Sequence, residues 1–578
     1  MGSRPCIDWR CLAWCLLAAL PVWATAQEPG ESESEPINIL WLSVEDMSPW
    51  IGPYGDKTVP TPNLDRLAAE GVTYDNAFAT SPVCAPARSS IITGMYATRI
   101  GTMQMRNGSP SKSAVAKDPD AYKDIPGYEG LPPAFVRCFP EHLRAAGYYC
   151  TNNSKKDYQF KEPVTVWDES SGNAHWKNRD DGQPFFAVFN HTGTHESQAF
   201  PKNKQSTEVV SPADVPIPPI YPDTPAVRDA MARTYNNIAR MDQWVGRQIK
   251  TLEDAGLLDN TVVVFWSDHG VGLPRGKRSC FDTGLRVPLI VRYPDGKDAG
   301  TRSDRVVSFV DLGPSVLSLA GIKPDERLDG TPFLGEHATK RDDYRHGYAY
   351  ANADRFDAER EQTRSVSDGR YRYTKNYMID VPYLLPVAYR EQIPMTFDLY
   401  KLRDETGSDN PAHWQFVATE RPAEEFYDSQ ADPWETNNLI DSPEHQERIA
   451  TMRKKLNAWI KDTGDLGFVL PETKLVKEHI WPKDGKQPTT PAATLQVING
   501  GVAANGDEGP KMTFTITCDQ PGASIGYRIS NNQKFNGPWK VVNQWWPMLP
   551  SDQVHYVQIQ THRIGHKPTT VVKKLDQE

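Results

Sequence analysis

The chain has 578 residues, a length that predicts two to four domains because a single hydrophobic core seldom extends over so many residues. Its apolar fraction of 38% and aromatic fraction of 10% are typical of a folded globular protein and exclude a largely disordered one. The net charge is −10, and the 64 basic and 74 acidic residues are interspersed. We therefore expect no nucleic-acid partner, since such a partner requires a basic face.

The first 26 residues have the three parts of a secretory signal peptide. Two arginines precede the apolar run CLAWCLLAALPVW, and an Ala-Thr-Ala sequence then predicts cleavage near Ala26-Gln27. A retained anchor would need about 20 apolar residues. The cysteines of the run also stand too early for a lipoprotein. The sequence thus predicts a periplasmic or secreted protein with no stable membrane anchor.

Apolar runs and amphipathic segments then alternate along the chain. The runs NILWLSVED, PFFAVFNH, TVVVFWSDHG and VPLIVRY have the length of buried strands. The segment TPNLDRLAAEG predicts a helix with Thr61 near its cap and Pro62 early. A long amphipathic helix is predicted from TPAVRDAM onward. This alternation predicts an α/β domain over residues 37–340 with a mostly parallel central sheet.

The second half of the chain has a different pattern of apolar and polar residues. Residues 341–480 contain short strand-like runs, including GRYRYTKNY, and a closing amphipathic helix, which predict a smaller antiparallel α+β subdomain. A linker rich in Lys, Pro and Thr follows. The alternating runs KMTFTITC, SIGYRIS and HYVQIQTH predict an accessory β-sandwich module over residues 493–578.

Polar residues stand at the ends of three predicted strands: Glu45-Asp46, His195 and Asp268-His269. In open α/β sheets, sites form at the carboxyl ends of the strands, so three such clusters favour a site over ordinary strand caps. Carboxylate pairs suit a hard divalent cation, which prefers oxygen ligands.

Three basic residues, Arg88, Lys155 and Lys277, would add positive charge to this pocket. A cation and several basic side chains together indicate a small, multiply charged oxyanion, either sulfate or phosphate.

Cys84 lies in the stretch SPVCAPARSSIITG. As a thiol nucleophile it would need a neighbouring histidine, and the carboxylates would then have no purpose. The residues CAPAR, followed by Thr93-Gly94, resemble the signature C-x-P-S-R-x-x-x-x-T-G of the type I sulfatases, within the alkaline phosphatase superfamily. NILWLSVED, LLDNTVVVFWSDHG, GKRSCFDTGLRVPLIVRYP and EFYDSQADPWETNNL resemble further segments of that family. The similarity covers residues 37–465 and extends to bacterial polysaccharide sulfatases and sulfamidases.

This resemblance implies an alkaline-phosphatase-like fold and a set of functional residues. Cys84 would be oxidised to formylglycine by a formylglycine-generating or anaerobic maturation enzyme, and the aldehyde hydrate would attack sulfur. One divalent cation, Ca²⁺, is expected. The implied metal ligands are Glu45, Asp46, Asp268 and His269 together with residue 84, and the implied catalytic residues are Arg88, Lys155, Asp157, His195 and Lys277.

Three of the implied site residues depart from the family pattern. Glu45-Asp46 stands where the family has Asp-Asp, and Asp268-His269 where it has Asp-Asn. Asp157 replaces a histidine that normally touches the formylglycine. A longer carboxylate and a nitrogen ligand leave the identity of the cation open.

Export and the accessory module favour a sulfated polysaccharide or oligosaccharide as substrate. Trp176, Lys177, Arg179 and Arg355 are predicted to bind it, with an ordinary surface loop as the alternative for each. Three other functions stay open at this stage: a sulfamidase acting on N-sulfated glucosamine, a phosphoester or phosphonate hydrolase, and a non-catalytic glycan-binding protein.

Overall fold

The computed structural model describes residues 36–575 except 109–114, 117, 204–207, 340–346, 405–409, 483, 500–510, 543–546, 548 and 552. The predicted signal peptide lies outside the described residues. Among those residues, no helix combines the length and the apolar character that a membrane crossing needs.

An eight-stranded sheet forms the central layer, in the strand order β4-β3-β5-β1-β6-β7-β2-β8. Only β7 runs antiparallel to its neighbours, so the predicted mostly parallel sheet is confirmed. The strands are β1 Asn38–Val44, β2 Val72–Phe78, β3 Tyr149–Asn153, β4 Glu169–Ser170, β5 Phe185–His191, β6 Thr261–Ser267, β7 Leu289–Arg292 and β8 Thr301–Ser308.

Strand β1 lies near the middle of this sheet because all seven of its residues are apolar or uncharged, and all are buried. Alternate residues face opposite helical layers. Leu40 and Leu42 join the apolar cluster on one face, and Ile39 and Trp41 join the cluster on the other. Burial on both faces explains why the sequence of the strand is continuously apolar rather than alternating.

The helices cover both faces of the sheet and the sides of the smaller sheets. They are α1 Pro62–Ala69, α2 Cys84–Thr93, α3 Ala97–Ile100, α4 Pro119–Tyr122, α5 Phe139–Ala145, α6 Pro225–Asp254, α7 Asp282–Leu285, α8 Leu312–Leu319, α9 Met395–Asp404, α10 Pro411–Val417, α11 Gln446–Thr463 and α12 Glu472–Leu475.

The predicted long helix is α6, and the predicted first helix is α1. Thr224 caps α6 by accepting a hydrogen bond from the backbone N–H of Val227 at 3.2 Å. Asp242 of α6 accepts from the backbone N–H of Leu64 at 2.8 Å and from the Asn63 amide at 2.7 Å. This buried carboxylate therefore fixes the amino end of α1 against α6.

Two further groups of antiparallel strands follow, as the sequence predicted. The first is a sheet in the order β12-β11-β10-β9, and the second is a pair of sheets in the orders β13-β14-β17 and β16-β15-β18-β19. Their strands are β9 Ala349–Ala353, β10 Thr363–Ser367, β11 Tyr371–Asn376, β12 Glu424–Asp428, β13 Thr494–Asn499, β14 Lys511–Thr517, β15 Ala523–Ser530, β16 Lys540–Val541, β17 Leu549–Pro550, β18 His555–Arg563 and β19 Thr569–Leu575.

Candidate active site

The carboxyl ends of β1 and β6 bring four predicted metal ligands together. The two strands are parallel neighbours with Val44 opposite Ser267, so the residues that follow each strand lie side by side. The backbone N–H of Asp46 donates to Asp268 Oδ1 at 3.1 Å. Asp46 has a φ of 53°, a left-handed conformation that is uncommon for non-glycine residues and that often occurs at functional sites.

His269 fits a cation ligand by its hydrogen bonding. Its Nδ1 lies 2.9 Å from the carbonyl oxygen of Gly270, which only accepts, so Nδ1 carries the proton and Nε2 is free to coordinate. Nε2 is buried, has no hydrogen-bond partner among the described residues, and lies 3.1 Å from Asp46 Oδ1. Ligand atoms of Asp46, Asp268 and His269 all lie within 4.8 Å of one another. A cation among them would relieve this contact between a lone pair and a carboxylate.

The ionisation of His269 gives the same indication. Burial alone would lower its pKa, but the carboxylates of Asp268 and Asp46 raise the pKa to about 10. The position therefore stabilises a positive charge. A divalent cation would supply that charge and leave the imidazole neutral.

Glu45 adds a third buried carboxylate at the same place. Its Oε1 lies 3.3 Å from the ammonium of Lys155 and 3.8 Å from Arg88 Nη2, and has no hydrogen-bond partner among the described residues. A buried carboxylate oxygen without a hydrogen-bond partner lowers the stability of the fold unless a further group binds it. Glu45 thus fits the predicted role of metal ligand despite its extra methylene.

Cys84 is the first residue of α2 and is 2% exposed. Helix α2 is buried along its whole length, so the side chain is held at its amino end, where the unpaired N–H groups give a positive potential. The side chains of Asp157 and His269 lie close enough to Cys84 to interact with it electrostatically. The predicted precursor of the nucleophile thus borders the carboxylate cluster.

Arg88 lies one turn further along α2 and links the helix to the strand ends. Its Nε donates to Asp268 Oδ2 at 3.0 Å, and its Nη1 donates to Asn190 Oδ1 at 3.0 Å. Burial alone would lower its pKa, but the carboxylates of Asp268 and Glu45 raise it above its ordinary value. The guanidinium is therefore charged, and it orients Asp268 toward the cluster.

Lys277 approaches the cluster from the loop after β6. Its ammonium lies 2.7 Å from Asp46 Oδ2 and 3.5 Å from Glu196 Oε2. Burial would lower its pKa, but the negative charge of Asp46 raises it. Arg278 forms a two-pronged ion pair with Glu196, at 2.7 and 3.0 Å, so Glu196 is held between the two basic residues.

His195 presents Nε2 to the pocket. Its Nδ1 accepts from the backbone N–H of Ser197 at 3.2 Å, so the neutral ring carries its proton on Nε2. That atom lies 3.4 Å from the ammonium of Lys277 and 3.8 Å from Glu45 Oε2. Burial and the charge of Lys277 lower the pKa of His195 below its ordinary value. The imidazole is therefore a neutral donor that points at the centre of the site.

Asp157 and Lys155 close the remaining side. The ammonium of Lys155 lies 3.4 Å from Asp157 Oδ2. Burial alone would raise the pKa of Asp157, but the charges of Lys155, Arg106 and Arg88 lower it. Asp157 is therefore ionised where the family has a histidine.

The predicted substrate-binding residues do not all lie on a surface that a substrate could reach. Trp176 is 3% exposed and stacks on Phe185 at 5.3 Å, so it belongs to the hydrophobic core. Arg179 donates to the backbone oxygens of Gln183 and Trp176, which fixes its own loop. Lys177 is exposed, and its role stays a prediction.

Arg355 is 2% exposed, and its guanidinium forms a two-pronged ion pair with Glu472 at 2.7 and 3.1 Å. The structure thus corrects the prediction for Trp176 and Arg355, because neither presents a surface to a substrate. Both errors have one cause. Each residue stands in a polar stretch that is typical of an exposed loop, but a distant segment of the chain covers its side chain.

The buried pair leads to a stability prediction. Arg355→Ala should lower the free energy of unfolding by about 3–5 kcal/mol, because Glu472 would be left buried and unpaired. Replacing both residues, as Arg355→Met with Glu472→Leu, should cost clearly less. Thermal and denaturant unfolding of both variants would measure this. An Arg355→Ala protein as stable as the wild type would contradict this structural role.

Sequence reasoning missed several residues of the site. Glu196 directly follows His195, and Arg278 directly follows Lys277. Their places next to predicted catalytic residues could have identified them as residues of the site. Asn190 lies at the end of β5, so its place at a strand end could have identified it as well. Tyr389, whose ring centroid lies 6.2 Å from that of His195, comes from a distant segment without a motif.

Comparisons with known proteins find relatives along most of the chain. A model of the sulfatase family matches residues 37–322, and a model described as N-sulphoglucosamine sulphohydrolase, C-terminal, matches residues 274–384. An ulvan-active sulfatase of Formosa agariphila is 41% identical, over 93% of this chain and 91% of that protein. Human N-sulphoglucosamine sulphohydrolase is 26% identical, over 78% of this chain and 95% of that protein.

Solved structures share the fold. A protein in complex with its substrate D-glucosamine-2-N,6-O-disulfate gives a TM-score of 0.52 at 18% identity, covering 74% of this chain and 98% of that chain. A 2-O GAG sulfatase gives a TM-score of 0.52 at 17% identity, covering 75% and 93%. The predicted sulfatase-type α/β fold is therefore confirmed.

Proposed function

The chain belongs to the sulfatase family, and from that premise we propose that it is an exported enzyme that hydrolyses sulfate esters of a sulfated polysaccharide or its oligosaccharides. The observation that carries the proposal is the pocket itself. Buried Cys84 lies at a helix amino end between a carboxylate cluster and several basic side chains. The ulvan-active relative supports a polysaccharide substrate.

We assign Glu45, Asp46, Asp268 and His269 as ligands of one divalent cation, with residue 84 completing the shell. Three carboxylates favour Ca²⁺. When bound, the cation would supply Lewis-acid charge next to residue 84. A formylglycine made from Cys84 by a maturation enzyme would offer, as its hydrate, one hydroxyl to attack sulfur with loss of the substrate alcohol. Its second hydroxyl would then lose a proton, break the C–O bond to sulfate and restore the aldehyde.

The remaining residues of the site would balance the charge of the substrate or transfer protons. Lys277 and Lys155 bring positive charge to the pocket and would balance the negative charge of the sulfate oxygens. Arg88 holds Asp268 in place. Asp157, ionised beside Cys84, is positioned to accept a proton from the group at residue 84. His195 would donate its Nε2 proton to the leaving oxygen.

His195→Gln tests the last assignment. We expect kcat for an alkyl sulfate ester to fall about 10²–10³-fold, since general acid catalysis contributes that much. An aryl sulfate should lose less, because its leaving oxygen needs little protonation. Steady-state kinetics on both esters would measure the difference. Equal losses on the two would contradict the role of His195 as proton donor.

Matched chromogenic esters test the reaction class. The purified protein should release sulfate from 4-nitrophenyl sulfate and size-fractionated ulvan oligosaccharides much faster than phosphate from 4-nitrophenyl phosphate. Faster phosphate release would overturn the proposal in favour of a phosphoester hydrolase. Glycan binding without turnover by the matured protein would indicate a non-catalytic binding protein.

An N-sulfated substrate is the second candidate. It is favoured by the match of residues 274–384 to the N-sulphoglucosamine sulphohydrolase model and by the human relative. Sulfate release from N-sulfated glucosamine, compared with an O-sulfated glucosamine, would decide between the two linkages.

We also propose the division predicted from sequence: a signal peptide over residues 1–26, a catalytic domain over 37–340, a subdomain over 341–480 and an accessory module over 493–578. Cleavage near Ala26 would give a periplasmic or secreted enzyme. Sequencing the amino terminus of the exported protein tests this assignment.

A further inference from the structure

Four non-glycine residues with left-handed backbone conformations lie in segments beside the catalytic pocket, which together are called its mouth below. Arg106 has a φ of 65°, Asp157 of 59°, Gln159 of 63° and Asp357 of 54°. Each such non-glycine residue is strained by an amount on the order of 1–2 kcal/mol, and strain of this kind collects where side chains must be aimed for function. These segments come from three distant parts of the chain, and those of Arg106 and Asp357 carry no recognised motif.

Buried Arg355 joins two of these segments. Its Nη1 donates to the backbone oxygen of Met105 at 3.2 Å and to that of Asp357. The backbone N–H of Met105 in turn donates to the Arg355 oxygen at 2.8 Å. One ion-paired guanidinium thus fixes the backbone on both sides of the mouth, next to Arg106 and at Asp357.

Gln159 joins the third segment. Its side-chain oxygen accepts from the backbone N–H of Asn107 at 3.3 Å, and its amide donates to the backbone oxygen of Gln104. The turn that carries Arg106 is therefore fastened to the turn that carries Asp157, whose carboxylate borders Cys84. Arg106 consequently lies close enough to Asp157 for its charge to act on that carboxylate.

The side chains of Arg106 and Asp357 differ from the two buried arginine ion pairs nearby. Arg106 Nε lies 3.4 Å from Asp357 Oδ1, and the two side chains are 48% and 25% exposed. By contrast, the pairs of Arg278 with Glu196 and of Arg355 with Glu472 are buried and two-pronged. A long, solvated pair on a rigid backbone costs little to open. Its guanidinium remains available to a ligand.

We propose that Arg106 and Asp357 form a recognition pair for the glycan beyond the reacting sulfate ester. Arg106 binds an anionic group of the glycan, a sulfate or a carboxylate, with the planar donor geometry that suits such groups. Asp357 accepts hydrogen bonds from sugar hydroxyls. This inference rests on the proposed function and adds to it a substrate with a second negative charge near the scissile sulfate.

The test compares two substrates within each variant. We expect Arg106→Ala to lower the ratio of kcat/KM on ulvan oligosaccharides to kcat/KM on 4-nitrophenyl sulfate by about tenfold, the loss of one charge-assisted contact. Arg106→Lys keeps the charge but loses the planar pair of donors, so its ratio should lie between those of the wild type and Arg106→Ala. The ratio cancels any effect on the chemistry itself. Oligosaccharides whose carboxylates have been chemically reduced show which anion is bound: the loss persists if it is a sulfate and disappears if it is a carboxylate.

Arg302 provides the matched control. It is an arginine with a 50% exposed side chain that pairs with Asp75, and it lies in β8 at the edge of the central sheet. Arg302→Ala should leave the ratio at the wild-type value. An unchanged ratio in Arg106→Ala, with an active wild type, would overturn this inference alone. A matured wild type that releases sulfate from neither substrate would overturn the proposed function, and the inference with it.

Discussion

Cys84→Ala is expected to reduce sulfate release by roughly 10⁴-fold or more, the loss that follows removal of a nucleophile from an otherwise intact site. Cys84 is 2% exposed and stands between the carboxylate cluster, Asp157 and the basic side chains, the position that the proposed nucleophile requires. Sulfate release from oligosaccharides and 4-nitrophenyl sulfate would measure the loss. Retained turnover would exclude residue 84 as the nucleophile.

Cys150→Ala is the matched control for this variant. Cys150 is also a buried free thiol, but it lies in β3 within the hydrophobic core. Its removal should cost some stability through a small cavity while leaving turnover in place. A similar loss of activity in both variants would point to misfolding rather than to chemistry.

The mass of the peptide that contains residue 84 separates a thiol nucleophile from an aldehyde. Protein made in a host with the maturation system should carry formylglycine at this position. Protein made without that system should carry cysteine and be inactive. Full activity in protein with an unmodified Cys84 would contradict the formylglycine mechanism and leave an ordinary thiol nucleophile.

The central sheet was predictable because its strands depend on local sequence. The run from Asn38 to Val44 is apolar at nearly every position, which only a strand buried on both faces requires. The meeting of the carboxylates at the strand ends followed from the same fact. Residues after parallel strands meet at one edge, so Asp46 and Asp268 had to be neighbours although 222 positions separate them.

The mouth of the pocket was not predictable, because distant contacts decide it. Arg355 and Glu472 are 117 positions apart, and nothing near Arg355 in the sequence reveals that a helix from the far end of the chain covers it. Trp176 stands in a polar segment, yet packing against Phe185 draws it into the core. Exposure of single loop residues is a tertiary property that local sequence leaves open.

Removal of the cation is the second change with a large expected effect. Chelation should lower kcat by about 10³-fold, since activation of the nucleophile by a bound metal contributes several kcal/mol. The melting temperature should fall as well, because the cation binds only the folded protein and stabilises it by about 2.7 kcal/mol when present at 100 times its Kd. Buried Glu45, Asp46 and Asp268 would then repel one another. Activity and melting temperature after dialysis against a chelator would measure both losses.

Restoration with single metals identifies the ion, and here the sequence departure at His269 is put to the test. Ca²⁺ should restore both activity and melting temperature, because three carboxylates outweigh one imidazole in a site that prefers oxygen. Asp268→Asn, which removes one charge from the cluster, should weaken the dependence on Ca²⁺ and need a higher concentration for the same melting temperature. Asp75→Asn, at a surface ion pair, is the control and should respond like the wild type. Restoration by Zn²⁺ but not by Ca²⁺ would mean that the nitrogen of His269 has changed the preference of the site.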